Sequence, residues 1–274
     1  MALTGLSAAL FGSLAIYGKF ASRMGIPLTE LLAVRFGAAA VILWGLAVVR
    51  GERLWWGRRT AGLAVMGLLY FGQAATYFGS LRTVPAAVTS ILLYVYPGIV
   101  MLYAVVFLGE PAGRTRLLAL ALAVSGVFAV VDPLGARGSI DAAGVLLGLA
   151  TASIYATYIL AGRTLLQDVP AVVATAGIAT MAGVAFTVVA AAAGQLRPLT
   201  GSGYALAGSM AVVAPTRAAI ISTLEPAVTV VLAGILLGEN LGPVRLIGGL
   251  VILVAAVIVA RNVSPDLAEP RVRE

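Results

Sequence analysis

Three ionisable side chains, Lys19, Arg35 and Glu225, interrupt otherwise apolar runs of this chain. Charges in such runs are costly and mark function by default. Glu225 precedes Pro226. The missing proline N–H breaks the helical ladder there and frees polar backbone of the kind that holds a solute or an ion. The carboxylate could equally pair with Lys19 or Arg35 and simply tie helices together. Arg35 lies four residues into its apolar run. It either snorkels to the interface, pairs with Glu30, or takes the carboxylate of a solute. Lys19, the only lysine, closes the first run and reads as an interfacial anchor or a charge partner.

The aromatic residues are placed just as unusually. Trp55 and Trp56 stand between Arg53 and Arg58, as an interfacial belt requires. By contrast, Tyr70, Gln73 and Tyr77 recur at i, i+3 and i+7 inside an apolar run. Ser90, Tyr94 and Pro97 form a second such stripe, and Thr151, Tyr155 and Tyr158 a third. A hydroxyl facing lipid would be unsatisfied, so the stripes are expected to face the interior. They serve there either as interhelical hydrogen bonds or as the lining of a weakly polar, ring-walled cavity for an amphipathic or aromatic solute. The binding set expected from sequence is therefore Tyr70, Gln73, Tyr77, Ser90, Tyr94, Tyr155, Tyr158 and Glu225. Pro97 and Pro226 are the expected hinges.

Other chemistry is excluded. The chain has no Cys and no His, which removes thiol nucleophiles, Cys/His zinc sites and any Ser-His-Asp triad. Gly18-Lys19 resembles a phosphate-binding loop only superficially, since Phe20 replaces the required hydroxyl residue. All four Asp lie in loops or the tail, so no metal site, cofactor or catalytic group is expected and the chain does not read as an enzyme.

The elements that position these residues follow from composition. Of 274 residues 61% are hydrophobic and 11% charged, a balance that a soluble domain cannot bury. The net charge of +7 is then a matter of membrane topology rather than of nucleic-acid binding. The uncharged runs, such as 60–81, 83–109, 142–162 and 169–196, are long enough to cross a bilayer. About ten segments with short loops are expected, an all-α membrane protein whose partners are the bilayer and a small solute. A cleaved signal peptide is not expected at the start.

The chain also repeats itself. An offset of 129 aligns Pro97 with Pro226, Leu108-Gly109-Glu110 with Leu237-Gly238-Glu239, Gly113 with Gly242 and Arg116 with Arg245. The front of each half aligns at 143, through Pro27 and Pro170, so the second half is short by 14 residues. The deficit falls on the eighth segment, Gly201–Val212, whose roughly 18 Å of helix is too short to span. Ten spans with the N-terminus inside place 11 arginines inside and 5 outside; deleting the eighth gives 8 and 8. Ten spans are therefore expected, with the eighth incomplete and both termini cytoplasmic. Five spans per repeat turn the second copy upside down, the inverted architecture of secondary transporters. The expected division is 1–131, 132–260 and a tail over 261–274.

The stretch from Ala214-Pro-Thr-Arg to Thr-Leu-Glu-Pro226, followed by Leu-Leu-Gly-Glu239, resembles the ninth helix of the drug/metabolite transporter superfamily, EamA type. Val84-Pro85, Tyr96-Pro97 and Leu108-Gly-Glu-Pro111 resemble the same motif in a first repeat. Tyr96-Pro97 stands where the second copy has Glu225-Pro226, a departure from the pattern. The resemblance implies a ten-helix bacterial inner-membrane exporter of amino acids, aromatic ones included, or of other metabolites and amphipathic drugs. It would work by alternating access; separately from the resemblance, a monomer is the expected unit, although the sequence does not fix the oligomeric state. A passive facilitator or channel is the alternative, although the chain lacks the charge rings or carbonyl filter of a channel.

Overall fold

The computed structural model describes residues 2–52, 58–108, 113–132, 140–167, 169–195, 199, 201–212 and 225–262. The Trp55–Trp56 pair, Glu110, Arg217 and the tail beyond 262 lie outside the described residues. All regular structure among the described residues is helical: α1 Ala2–Arg23, α2 Leu28–Val49, α3 Arg58–Ser80, α4 Ala86–Leu93, α5 Tyr96–Leu108 and α6 Arg114–Val131 in the first part. The second part has α7 Ala142–Leu165, α8 Ala171–Ala192, α9 Gly201–Val212, α10 Glu225–Leu232 and α11 Pro243–Asn262. Five helical stretches, 28–49, 60–80, 86–107, 142–165 and 171–192, are long and apolar enough to cross a membrane. Their outward faces carry residues such as Val49, Phe107 and Val41, 84%, 77% and 75% exposed, an apolar surface that suits lipid and not water.

Local sequence explains where the helices begin and end. Pro27, Pro85 and Pro170 occupy the N-caps of α2, α4 and α8, where a fixed φ helps and no N–H is needed. Asp141 caps α7 by accepting from the Gly144 N–H at 2.9 Å, and the same oxygen accepts from the Thr83 hydroxyl at 2.8 Å. Those bonds, Thr83's first, hold the Asp141 carboxyl below the ordinary 3.8. A depressed carboxylate contributes stability above its unfolded value and loses it as pH falls through its folded value. The parental protein should therefore melt above Asp141→Ala at neutral pH, with the gap closing as pH drops below 3.8. A gap that stays constant in thermal melts across that range would show that the charge contributes nothing.

The span carrying Tyr96-Pro97 is discontinuous. Tyr94 and Val95 form a tight turn, their N–H groups bonded to Ile91 and Leu92 carbonyls, and α5 restarts at Tyr96. Its counterpart also departs from α geometry: α10 runs into a π-helical turn over Ala233–Leu237 that ends at Gly238, φ 69°. Only glycine takes that φ without strain, and the turn delivers Glu239 to the outside of the helix.

Packing follows small residues, as expected where lipid supplies no hydrophobic drive between helices. α2 lies on α8, α6 on α11, α1 on α10, α4 on α7, α3 on α7 and α8, and α2 on α9. Gly144 sits against Thr83 and Val84, and Gly148 against Leu92 and Ser80, so the Gly144-xxx-Gly148 pattern is a packing face. Gly234-xxx-Gly238 is not: Gly234 is exposed and Gly238 serves the turn. Between α6 and α11, Gly126 and Gly248 meet backbone to backbone. α9 is a helix of 12 residues on the stretch expected to be short; the residues after it, 213–224, are outside the described set.

Candidate functional site

Glu225 begins α10 in the interior, with Pro226 buried beside it. Its Oε2 accepts from the Tyr94 hydroxyl at 3.1 Å, so the turn that interrupts the fourth span presents Tyr94 to the acid. One turn on, the Thr229 hydroxyl bonds to the Glu225 carbonyl at 3.0 Å and the Gly12 carbonyl at 3.1 Å. Ser90 donates to Thr229 at 3.3 Å, and Tyr77 reaches Ser90 from α3. Gly12 permits this meeting, since a Cβ there would come within 3.1 Å of the Glu225 carbonyl and 3.0 Å of Val228. Glu225, Tyr94, Ser90, Tyr77, Thr229 and Gly12 thus form one polar knot where α1, α3, α4 and α10 converge. Tyr77, Ser90 and Tyr94 are all buried within it.

A second group lies around Arg35. Arg35 is only 5% exposed, so it does not snorkel; its Nε donates to the Met210 carbonyl at 3.3 Å, and its guanidinium lies over the Phe36 ring at 4.9 Å. A cavity of about 30 Å³, lined by Arg35, Phe36, Tyr70, Tyr158, Ile178 and Met210 among others, opens beside it. That is room for water, not for an organic solute.

Aromatic rings join the two groups. From Tyr94 the centroids run to Tyr96 at 6.0 Å, Tyr155 at 4.8 Å, Tyr158 at 6.1 Å, Tyr70 at 5.7 Å and Phe36 at 5.6 Å. Phe36 then stacks on Phe186 at 5.7 Å. The separations lie in the range of favourable ring pairs. The track connects a half-buried carboxylate at one end to a buried guanidinium at the other.

The structure thus divides the set expected from sequence. Tyr70 and Tyr158 line the cavity, Tyr155 bridges, and Tyr77, Ser90, Tyr94 and Glu225 form the knot. Gln73 is half-buried, and no side-chain contact ties it to either group among the described residues. Pro97 lies in the first turn of α5 and Pro226 in that of α10.

The charge partners need correction. Neither Lys19 nor Arg35 pairs with Glu225. Gly12 is the α1 residue beside Glu225, and Lys19 lies seven residues further, roughly 10 Å along the axis. Lys19 instead feels Glu239 and Arg23. Arg35 does not pair with Glu30 but with a backbone carbonyl.

Sequence reasoning missed three residues. Thr229 is one helical turn from Glu225, a spacing that could have exposed it. Gly12 gave no signal beyond being a glycine in a span. Glu239 was visible as a repeated motif without a role. Its carboxylate accepts from the Ala86 and Ala87 N–H groups at 2.7 and 3.1 Å, capping α4 from 153 and 152 residues away. Arg23 reinforces that end by donating to the Leu237 carbonyl at 3.3 Å. An anion at a helix N-terminus meets otherwise orphaned donors and the dipole. Ala86 and Ala87 are fully buried, so Glu239→Ala leaves donors that water does not reach. The expected loss is about 3 kcal/mol, with part recovered by Glu239→Gln. Unfolding midpoints in detergent measure it, and an unchanged midpoint for the Ala variant would remove the cap from the account.

Comparison with known proteins agrees with this architecture. One solved crystal structure superposes with a TM-score of 0.60 at 21% sequence identity, covering 93% of this chain and 94% of that chain, and so shares the fold. No curated protein sequence matches significantly. The family model of the EamA-like transporter family matches residues 1–132 and again residues 142–261. Apolar helices and both matches together make this a multi-pass membrane protein, and the chain belongs to the EamA-like transporter family, whose members are transporters.

Proposed function

We propose that the protein is a secondary transporter that exports small metabolites, amino acids with aromatic or other hydrophobic side chains or amphipathic drugs, across a bacterial inner membrane. In this reading ten spans form two inverted five-helix repeats, divided at residues 131 and 132, with both termini cytoplasmic. The observation that carries it is the aromatic track between the half-buried Glu225 and the buried Arg35, side chains of opposite charge type. Polar groups that are neither paired with each other nor lipid-facing belong to a solute path.

The pattern of helix contacts supports the repeat. Exchanging each element for its equivalent in the other half returns the α2–α8 and α6–α11 pairs to themselves. It also converts α1–α10 into α7–α4, and α3–α8 into α9–α2, and both members of each exchange are present. With the N-terminus inside, Glu239 on α4, Arg23 on Leu237 and Thr83 on Asp141 all tie the outer end shut. Such ties, with a cavity only water-sized, suit a carrier between openings better than a fixed pore.

Proteoliposome counterflow with radiolabelled phenylalanine tests the proposal. A carrier accelerates uptake when unlabelled solute is trapped inside, whereas a passive channel gives linear, non-saturating flux. Pro97→Ala and Pro226→Ala restore backbone donors and stiffen the two expected hinges. They should retain binding and slow counterflow several-fold. Parental counterflow rates in both variants would make the prolines tolerated kinks.

A further inference from the structure

The Arg35 guanidinium is the feature that the fold itself leaves unexplained. It is buried on α2, inside a helix of 22 residues that is otherwise uncharged apart from Glu30 near its start. Among the described residues no carboxylate neutralises it. Only Nε has a protein acceptor among the described residues, the Met210 carbonyl. Among the described residues the Nη groups have no protein partner, and they are not sealed off from open space. They therefore border the open space that Arg35 lines. An uncompensated guanidinium in a low-dielectric interior costs several kcal/mol and persists only where something repays it. Packing does not repay it, since Leu or Met would fill the same volume at less cost.

The surroundings indicate what does. A guanidinium presents a planar fork that matches a carboxylate through two parallel, charge-assisted hydrogen bonds. With Nε held by Met210 and the plane resting on Phe36, the orientation of that fork is fixed before a ligand arrives. Facing it are Tyr70, Tyr158, Ile178 and Met210, which are rings and aliphatic groups without a second charge. Thr175, also on the wall, spends its hydroxyl proton on the Ala171 carbonyl of its own helix at 2.7 Å. One cation set against an apolar wall complements an anion with an apolar body.

We propose that Arg35 is the carboxylate anchor of the solute site, and that the solutes recognised are small monocarboxylates with an aromatic or aliphatic body rather than cations or neutral amphiphiles. This rests on the transport reading above for its purpose but not for its chemistry. The cavity must widen to admit such a ligand, and the outer ties at Glu239 and Arg23 are the contacts that would have to part. Glu225, at the far end of the track, is not required for the carboxylate to bind.

Equilibrium binding to the purified full-length protein in detergent tests the anchor independently of flux. The probes are 3-phenylpropanoate, its amide and phenethylamine. The parental protein should bind the acid at least tenfold more tightly than either other probe. Arg35→Gln should weaken acid binding by about thirty-fold, the loss of a charge-assisted pair. Arg35→Lys, which keeps the charge without the fork, should weaken it by about tenfold. Arg35→Gln should keep the parental melting temperature within a few degrees, because the substitution removes a buried charge that no carboxylate balances among the described residues. Equal binding of the amide, unaltered acid binding by Arg35→Gln, or no acid binding by the parental protein would each overturn the proposal. Arg35-dependent binding without counterflow would leave the anchor standing and sink the export reading. Counterflow of phenylalanine that Arg35→Gln leaves untouched would do the reverse.

Discussion

Gly248→Val should yield no stably folded protein. A Cβ on Gly248 would stand 2.8 Å from the Gly126 carbonyl, the Val130 nitrogen and the Ala129 Cβ. A Cβ on Gly126 would meet the Gly248 carbonyl at 2.9 Å and Ile252 at 2.6 Å. Backbone opposes backbone on both sides, so no flexible side chain can yield. The helices α6 and α11 would have to separate, and their packing is the main support of both. Overpacking of a core costs about 1–3 kcal/mol when side chains can shift; here they cannot, and the penalty should exceed that range for Val. Gly249→Ala is the control, because its Cβ meets only the end of the Ile91 side chain, at 2.8 Å. The measurement is the monodisperse fraction after detergent extraction, together with the unfolding midpoint. A Gly248→Val protein as stable as Gly249→Ala would mean that the α6–α11 contact is looser than described.

The second large effect is expected on transport and not on folding. Glu225→Gln keeps the shape of the side chain and an acceptor for Tyr94, so the polar knot should survive. What it removes is the ability to bind and release a proton. No cation faces Glu225 among the described residues, and a carboxylate in a membrane interior must be either balanced or protonated. A carrier that exposes such a group to each side in turn exchanges a proton for its solute. With one proton per solute, a pH step of one unit supports about tenfold accumulation. Glu225→Gln should abolish that accumulation while leaving counterflow intact. Proteoliposomes with and without an imposed pH gradient separate the two. Undiminished gradient-driven accumulation would make Glu225 a structural residue of the knot.

These two cases also show what the sequence could and could not reveal. The uncharged runs over 60–81, 142–162 and 169–196 became helices with nearly the expected limits, because a bilayer-spanning length and the absence of charge are local properties. The Tyr stripes faced inward for the same reason. Gly126 and Gly248 escaped notice since neither has a small residue at i±4, while Gly234-xxx-Gly238 fits that pattern and packs against nothing close. The difference lies in which face meets a neighbour, and composition along one helix does not contain it. Arg35 was legible as an outlier, but its three readings differ only in what lies across the gap, Met210 and Phe36. The cap on α4 was hidden more deeply. Its donors are backbone N–H groups of two alanines, so no side-chain pattern marks them, and its acceptor lies in the other half of the chain.

That last contact has a consequence for how the protein is made. During synthesis the N-terminus of α4 enters the membrane with its first donors unsatisfied. The oxygen that receives them is 153 residues away. At roughly 5–20 residues per second, that oxygen emerges on the order of 10–30 s later. Until then α4 lacks the carboxylate that caps its first N–H groups. A chain released before Glu239 has emerged would lack that cap, and the Ala86 and Ala87 donors would be left to water or lipid headgroups.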